Sequence, residues 1–430
     1  MGRGTHYSRR QFLSRAAGGA GLAAAAPYVL TSHALGAPGT APASDRVAVG
    51  LIGCRNIGGW HLGSVLGLPE FQLTAACDVD AKILANAVKR GEQRQKTKVP
   101  AYGDYRKMLE DKGLDAVIVA TPDHWHGLMT IHACQAGKDV YCQKPMSLTL
   151  REGRRMVQAV RRYGRVCQVG TQHRSKDHTR LACELVRSGR IGKVHTIRTG
   201  IAGVNWPPPP VPNSPPPPEL DYDLWLGPAP FRPYNAKRCH YNFRFFWDYS
   251  GGQMTNFGQH ANDLAQWGNG TELTGPIEAQ GSAVYEPHGW YEVPMRSEAT
   301  LTYANGVKLI CKTGGPGGAL FEGDKGSILC GYSTLKSTPP ELAREPIGAS
   351  DVHLYRSTDH HRDWANCIKA RSKPLCDVEI GHRSCSACLL ANIAIRLGRT
   401  IRWDPAKELI VGDDEASRML DKPYRAPWSV

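Results

Sequence analysis

The sequence predicts two joined domains: an α/β domain on a parallel sheet, then an α+β domain on a large, mainly antiparallel open sheet. Three observations predict this. At 430 residues the chain exceeds one ordinary hydrophobic core. From Ser44 to Gly170 short apolar runs alternate with helical patterns, the rhythm of a parallel sheet. From Lys193 onward strand-like runs recur without helices between them, the rhythm of an antiparallel one.

Residues 1–34 stand apart from both domains. Ser8-Arg9-Arg10-Gln11-Phe12-Leu13 precedes a weakly apolar, Ala/Gly-rich run from Ala16 to Leu30. That run is too short and too small-sided to span a bilayer, and the pattern matches a twin-arginine export signal. Ser32-His33-Ala34 offers a cleavage site and Ala41-Pro42-Ala43 a second, while a basic disordered tail is the plain alternative. Residues 35–45 read as a linker. The twin-arginine route carries folded cargo, so the expectation is a periplasmic or otherwise exported protein without stable membrane insertion.

The net charge of +14 does not imply a nucleic-acid partner. Arg3, Arg9, Arg10 and Arg15 lie in the leader, and the remaining charge is scattered, with no basic run or RNA-binding signature. The thirteen cysteines, an odd number without disulfide-like spacing, read as buried thiols. Cys385 and Cys388 have metal or redox spacing, but they fall in a helical pattern (383–397) without a second ligand pair, so packing is favoured over zinc.

The first domain, residues 46–170, opens with a buried-strand run, Val47 to Ile52. The turn Gly53-Cys54-Arg55-Asn56-Ile57-Gly58 follows, then a helix from Trp60 to Leu66. A strand, a glycine turn and a helix in this order fit a dinucleotide-binding Rossmann domain. Gly53 would make the tight turn, Gly58 would let helix and strand pack closely, and Arg55 stands where a middle glycine is usual. The second strand, Phe71 to Cys77, ends in Asp78, whose carboxylate can accept both ribose hydroxyls and would repel a 2'-phosphate, which favours NAD over NADP. Tyr105 to Lys112 is a short helix, and Ala116 to Ala120 is a strand ending in Thr121-Pro122. His124 and His126 flank Trp125 beside Asp123, but no third ligand follows at helical spacing and no metal is expected. Asp139 to Cys142 is a strand delivering Gln143-Lys144-Pro145. An amphipathic helix over Glu152 to Tyr163 and a strand over Val166 to Gly170 close the domain.

The second domain, residues 171–430, starts with a helix from Thr179 to Ser188. Asn305-Gly306 is its sharpest hairpin turn, between Ala299 to Tyr303 and Val307 to Cys311. Residues 206–218 form a proline-rich insert that cannot join a sheet and reads as a lid, an intersubunit arm or a rigid surface loop. The aromatic run from Tyr241 to Tyr249, with Asp248 within it, suits either a sugar site or a plain core. In Gly251-Gly252-Gln253-Met254-Thr255-Asn256-Phe257-Gly258-Gln259-His260-Ala261-Asn262-Asp263, helical spacing puts His260 and Asp263 on one face, so Asp263 can orient the imidazole.

From Arg46 to Trp428 the chain resembles the Gfo/Idh/MocA family of oxidoreductases. Gln143-Lys144-Pro145 stands at the family's Glu-Lys-Pro motif, and Asn256 to Asp263 at its Asp-x-Gly-x-His-x-x-Asp motif. The resemblance implies catalytic roles at Lys144, His260 and Asn256. It also implies that the loop and helix start carrying Thr121, Pro122, His124 and His126 lie along the dinucleotide with Gln143. Gln172 and Arg174 would brace the interdomain cleft, and the expected substrate-binding residues are Gln172, Arg174, Tyr241, Asp248 and His260. The open sheet would make homodimer or homotetramer contacts. Gln143 and Asn256 replace acidic residues, keeping hydrogen bonding but losing charge, so the proton chemistry falls to Lys144 and His260.

The expected function is an exported NAD-dependent oxidoreductase, with NADP second, acting on a sugar, sugar derivative or polyol hydroxyl and retaining its nucleotide. A glycoside-cleaving enzyme that uses transient oxidation, or a non-catalytic periplasmic sugar-binding or scaffold protein, are the alternatives.

Overall fold

The computed structural model describes residues 45–203 and 210–430. Residues 1–34, expected to be an export leader, most of the expected linker and residues 206–209 of the proline-rich insert lie outside the described residues.

The first sheet is built from β1 (Val47–Ile52), β2 (Phe71–Cys77), β3 (Ala101–Tyr102), β4 (Ala116–Val119), β5 (Asp139–Cys142) and β6 (Cys167–Val169). Between them run α1 (Asn56–Gly67), α2 (Ala81–Gln95), α3 (Tyr105–Leu109), α4 (Asp123–Gln135) and α5 (Leu150–Arg162). The spatial order is β3-β2-β1-β4-β5-β6 and every pair is parallel. Strand order reverses between β1 and β4, which leaves a crevice beyond their carboxyl ends. Every residue of β4 and β5 is buried, which accounts for their continuous apolar character. Helix α1 starts at Asn56, four residues before the expected Trp60, because the glycine turn runs straight into the first helical turn.

One face of this sheet is completed from far along the chain. Helix α6 (Asp177–Arg187) and the second sheet come first; then α10 (His360–Ala370) returns to β1 and β2. Its Trp364 is fully buried, with its ring 5.7 Å from that of Phe71 and 5.6 Å from that of Tyr141. Emptying such a site costs about 3–5 kcal/mol.

The second sheet has nine strands: β7 (Val194–Ile201), β8 (Glu278–Val284), β9 (Arg296–Thr302), β10 (Lys308–Thr313), β11 (Gly318–Gly323), β12 (Gly326–Gly331), β13 (Leu335–Thr338), β14 (Ile401–Asp404) and β15 (Leu409–Ile410). Their order is β13-β12-β11-β7-β10-β9-β8-β14-β15. All pairs are antiparallel except β7 with β10, and a parallel pair needs a long crossover. That crossover carries α7 (Tyr222–Leu226), α8 (Gly252–Asn256) and α9 (Gly258–Asn269). Gly306, at φ +85°, makes the tight turn between β9 and β10.

Helix α11 (Val378–Leu397) lies against β8, and α9 lies against β7 and β11. All thirteen cysteines are unpaired and buried. Cys385 and Cys388 sit in the core face of α11, at Ser147 O and Asn262 Nδ2 respectively. The proline-rich insert is followed by a short stretch that joins the first domain: Asp221 N donates to Val79 O and Ala81 N to Glu219 O, each at 2.9 Å. No helix among the described residues is long and apolar enough to cross a membrane.

Candidate active site

A cavity of about 300 Å³ opens at the carboxyl ends of β1, β2, β4 and β5. Its floor is the glycine turn. Gly53 adopts φ +84°, and a Cβ there would lie 2.6 Å from Ala120 O. A Cβ on Gly58 would lie 1.9 Å from Gly53 O, so only glycine lets α1 approach the turn this closely. Helix α1 has no side-chain N-cap, which leaves its first N–H groups to an anion. Arg55, Asn56 and Ile57 are exposed on this rim, with the Arg55 side chain over the cavity.

Asp78 lies on the cavity wall at the end of β2. Its Oδ2 accepts Cys54 N at 2.7 Å and its Oδ1 accepts Asp80 N at 3.0 Å. Each oxygen therefore keeps a lone pair for a ribose hydroxyl. Burial raises this carboxyl, opposed by the two backbone donors. A glycine turn, an uncapped helix start and a strand-end carboxylate fit the dinucleotide of a Rossmann domain.

Lys144 emerges at the opposite wall, beyond β5. Its Nζ donates to Asn256 Oδ1 and to Asn256 O, each at 2.9 Å, and both residues line the cavity. Burial lowers this ammonium to about 8, opposed by Asp123 and assisted by Arg244. Gln143 secures the backbone here: its Oε1 accepts Lys144 N at 3.1 Å and its Nε2 donates to His61 Nε2 at 2.8 Å. His61 must then carry its proton on Nδ1, which donates to His361 Nε2 at 2.7 Å. Burial holds His61 well below the usual imidazole range, so this chain is neutral.

His260 is buried beside Lys144 but not on the cavity wall. Burial, then the Lys144 charge, then His173 hold it well below the imidazole range. Its ring meets that of His173 edge-on at 4.8 Å, and its Nδ1 has no hydrogen-bond partner. It is a neutral imidazole whose Nδ1 is buried and unpartnered.

Several expectations are corrected. Asp263 does not orient His260: its carboxylate is taken by Arg174 Nε at 2.7 Å and Ser384 Oγ at 2.7 Å. Arg174 is fully buried in that ion pair and also holds Glu272, so it braces the fold away from the cavity, where an unpaired guanidinium would be too costly. His124 faces the aromatic cap, with Nε2 at 3.0 Å from Trp225 O, and His126 is pinned under the loop with Nδ1 at 2.6 Å from Pro145 O and Nε2 at 2.8 Å from Thr121 O. Neither lines the cavity, whereas Thr121, Pro122, Gln143 and Tyr241 do. Gln172 lies in the turn before α6, away from the cavity wall, and Asp248 pairs with Arg232 at 2.5 Å. The aromatic run divides: Phe245, Phe246 and Tyr249 form a core with Trp225, while Tyr241 and Phe243 line the cavity under Arg244.

Sequence reasoning missed Asp123, Arg244, Ser250 and His61. Only Asp123 carried a signal, as a carboxylate just past the end of a parallel strand.

Fold and cavity together define a dinucleotide-binding oxidoreductase. The chain belongs to the Gfo/Idh/MocA oxidoreductase family: the family's NAD-binding Rossmann model matches residues 47–171 and its C-terminal alpha/beta domain model matches residues 184–430. The chain is 26% identical to an uncharacterized oxidoreductase, YrbE, of Bacillus subtilis, over 62% of this chain and 67% of that protein. It is 30% identical to a myo-inositol 2-dehydrogenase of Thermotoga maritima, over 40% and 47%. A glycosyl hydrolase family 109 protein of Shewanella baltica is 29% identical over 36% and 34%, so both of these alignments span less than half of the relative. The fold also matches an aldose-aldose oxidoreductase of Caulobacter crescentus at a TM-score of 0.63 and 19% identity, covering 83% of this chain and 99% of that one.

Proposed function

We propose that this protein is an exported NAD-dependent oxidoreductase that oxidises a hydroxyl of a sugar, sugar derivative or polyol. The observation that carries this reading is Lys144, held on Asn256 across a cavity floored by the Gly53 turn and walled by Asp78. Gly53, Gly58 and the start of α1 would hold the pyrophosphate, Asp78 the adenosine ribose, and the nucleotide supplies the hydride acceptor. Lys144 as a neutral amine takes the hydroxyl proton while Asn256 fixes where that amine sits. His260, neutral and buried off the cavity wall, adds no second charge beside that amine. The match to a myo-inositol 2-dehydrogenase supports a polyhydroxylated substrate.

Export by the twin-arginine route would deliver the protein folded, with its nucleotide inside, and would require the redox cycle to close on the enzyme. The match to a family 109 glycosyl hydrolase favours a second reading, glycoside cleavage by transient oxidation, although it spans only 36% of this chain. A homodimer or homotetramer through the open sheet belongs to the same proposal.

The test is mass spectrometry of nucleotide released from denatured protein, followed by a sugar and glycoside screen reading nicotinamide fluorescence. A substrate-dependent signal that Lys144→Ala abolishes supports the reading. Deuterium exchange at the oxidised carbon during glycoside cleavage selects the second reading, and sugar binding without any redox signal overturns both.

A further inference from the structure

The position that carries a carboxylate in the resembling family is Asn256 here, and among the described residues the cation it holds has no ion-pair partner on the second domain. A carboxylate reaches the same cavity from the first domain. Asp123 opens α4 and lines the cavity with Lys144, yet the residue is only 5% exposed. Two contacts fix where it points. Ser250 Oγ donates to Asp123 Oδ2 from the loop before α8. His126, three residues on and on the same helix face, sits 2.6 Å from Pro145 O, so the first turn of α4 is clamped against the residue that follows Lys144. Among the described residues Asp123 makes no direct ion pair, which leaves its charge to act across the cavity.

We infer that Asp123 is the positioning carboxylate of Lys144: it stabilises the ammonium formed when the substrate hydroxyl gives up its proton, in place of the charge that Asn256 lacks. This rests on the oxidoreductase reading above. The charged and titratable groups that interact with the ammonium are Asp123 on α4, Arg244 beside Tyr241, His260 on α9 and His173 before α6, while His126 acts on Asp123. Asp123 is the only anion among them. Burial pushes its carboxyl up, and His126, Ser250, Arg244 and Lys144 all pull it back toward the charged form. Lys144 and Asp123 thus support each other's charge. Removing the carboxylate must lower the pH at which the ammonium loses its proton, and neutralising Arg244 must raise it.

The test needs no substrate. Full-length protein is labelled competitively with acetic anhydride between about pH 6 and 10, and acetylation of Lys144 is read by peptide mass spectrometry. In wild type the midpoint is expected near 8. In Asp123→Asn it falls by about one pH unit, and in Arg244→Gln it rises. Asp123→Ala, which removes the carboxylate without leaving an amide, lowers the midpoint likewise and serves if Asp123→Asn does not fold. An unchanged or raised midpoint in Asp123→Asn, or in Asp123→Ala where that variant decides, overturns the inference. Absence of any sugar-dependent signal in wild type would instead overturn the functional reading and leave the labelling result standing.

Discussion

The Lys144 ammonium is shared between the side-chain and main-chain oxygens of Asn256, 2.9 Å from each. An amide offers acceptors without charge, so Asn256 locates the amine without itself supplying a counterion. Lys144→Ala is expected to lower the rate of sugar-dependent nicotinamide reduction by about 10²–10⁴-fold while leaving nucleotide bound. Stopped-flow fluorescence checks the rate, and mass spectrometry of released nucleotide checks the binding.

The pH dependence of the same step has a definite sign. Burial brings Lys144 down to about 8, and in the proposed reaction the base is the unprotonated amine. The oxidation rate should therefore rise with pH through about 8 and level off above it. A rate that falls across that interval would remove Lys144 as the base.

Asp78 serves the fold and the ligand at once, since it accepts Cys54 N and Asp80 N from the wall where ribose would lie. Asp78→Ala should weaken NAD binding about tenfold to a hundredfold, equivalent to about 1–3 kcal/mol. Titration calorimetry of nucleotide-free protein measures it.

Arg174 and Asp263 form a fully buried pair, with two contacts at 2.7 and 2.9 Å. Arg174→Ala leaves a buried carboxylate uncompensated and should cost about 3–5 kcal/mol of stability, read from the urea midpoint. This loss would appear even in protein with no nucleotide.

Acid stability follows from Glu379. Burial alone would raise it, but hydrogen bonds from Arg154 and Arg383 bring it down to about 2, below its ordinary 4.5. A carboxyl depressed in the folded state stabilises fully above its unfolded value and loses that contribution as pH falls toward about 2. Glu379→Gln should therefore destabilise at neutral pH by at most about 3 kcal/mol and flatten the acid limb of stability between about pH 4.5 and 2.

Much of the first sheet was legible because its strands are continuous apolar runs: β1, β2 and β5 fall on the residues that hydrophobic pattern selects. Lys144 and Asn256 were legible by their motifs. The partners of Asp263 were not, because helical spacing from His260 cannot reveal that Arg174 and Ser384 approach from other elements. The same limit hid His61 behind Gln143 and Ser250 against Asp123, contacts made across 82 and 127 residues of chain. His124 and His126 were expected along the dinucleotide, and only the fold shows that their rings turn to main-chain carbonyls instead.

The seat of Trp364 carries one practical consequence. A fragment cut after residue 170, following the boundary the sequence suggests, would strip α10 from β1 and β2 and leave Phe71 and Tyr141 facing water. Such a piece would be sticky and prone to self-association, so nucleotide affinity is better measured on the intact polypeptide than on an excised module.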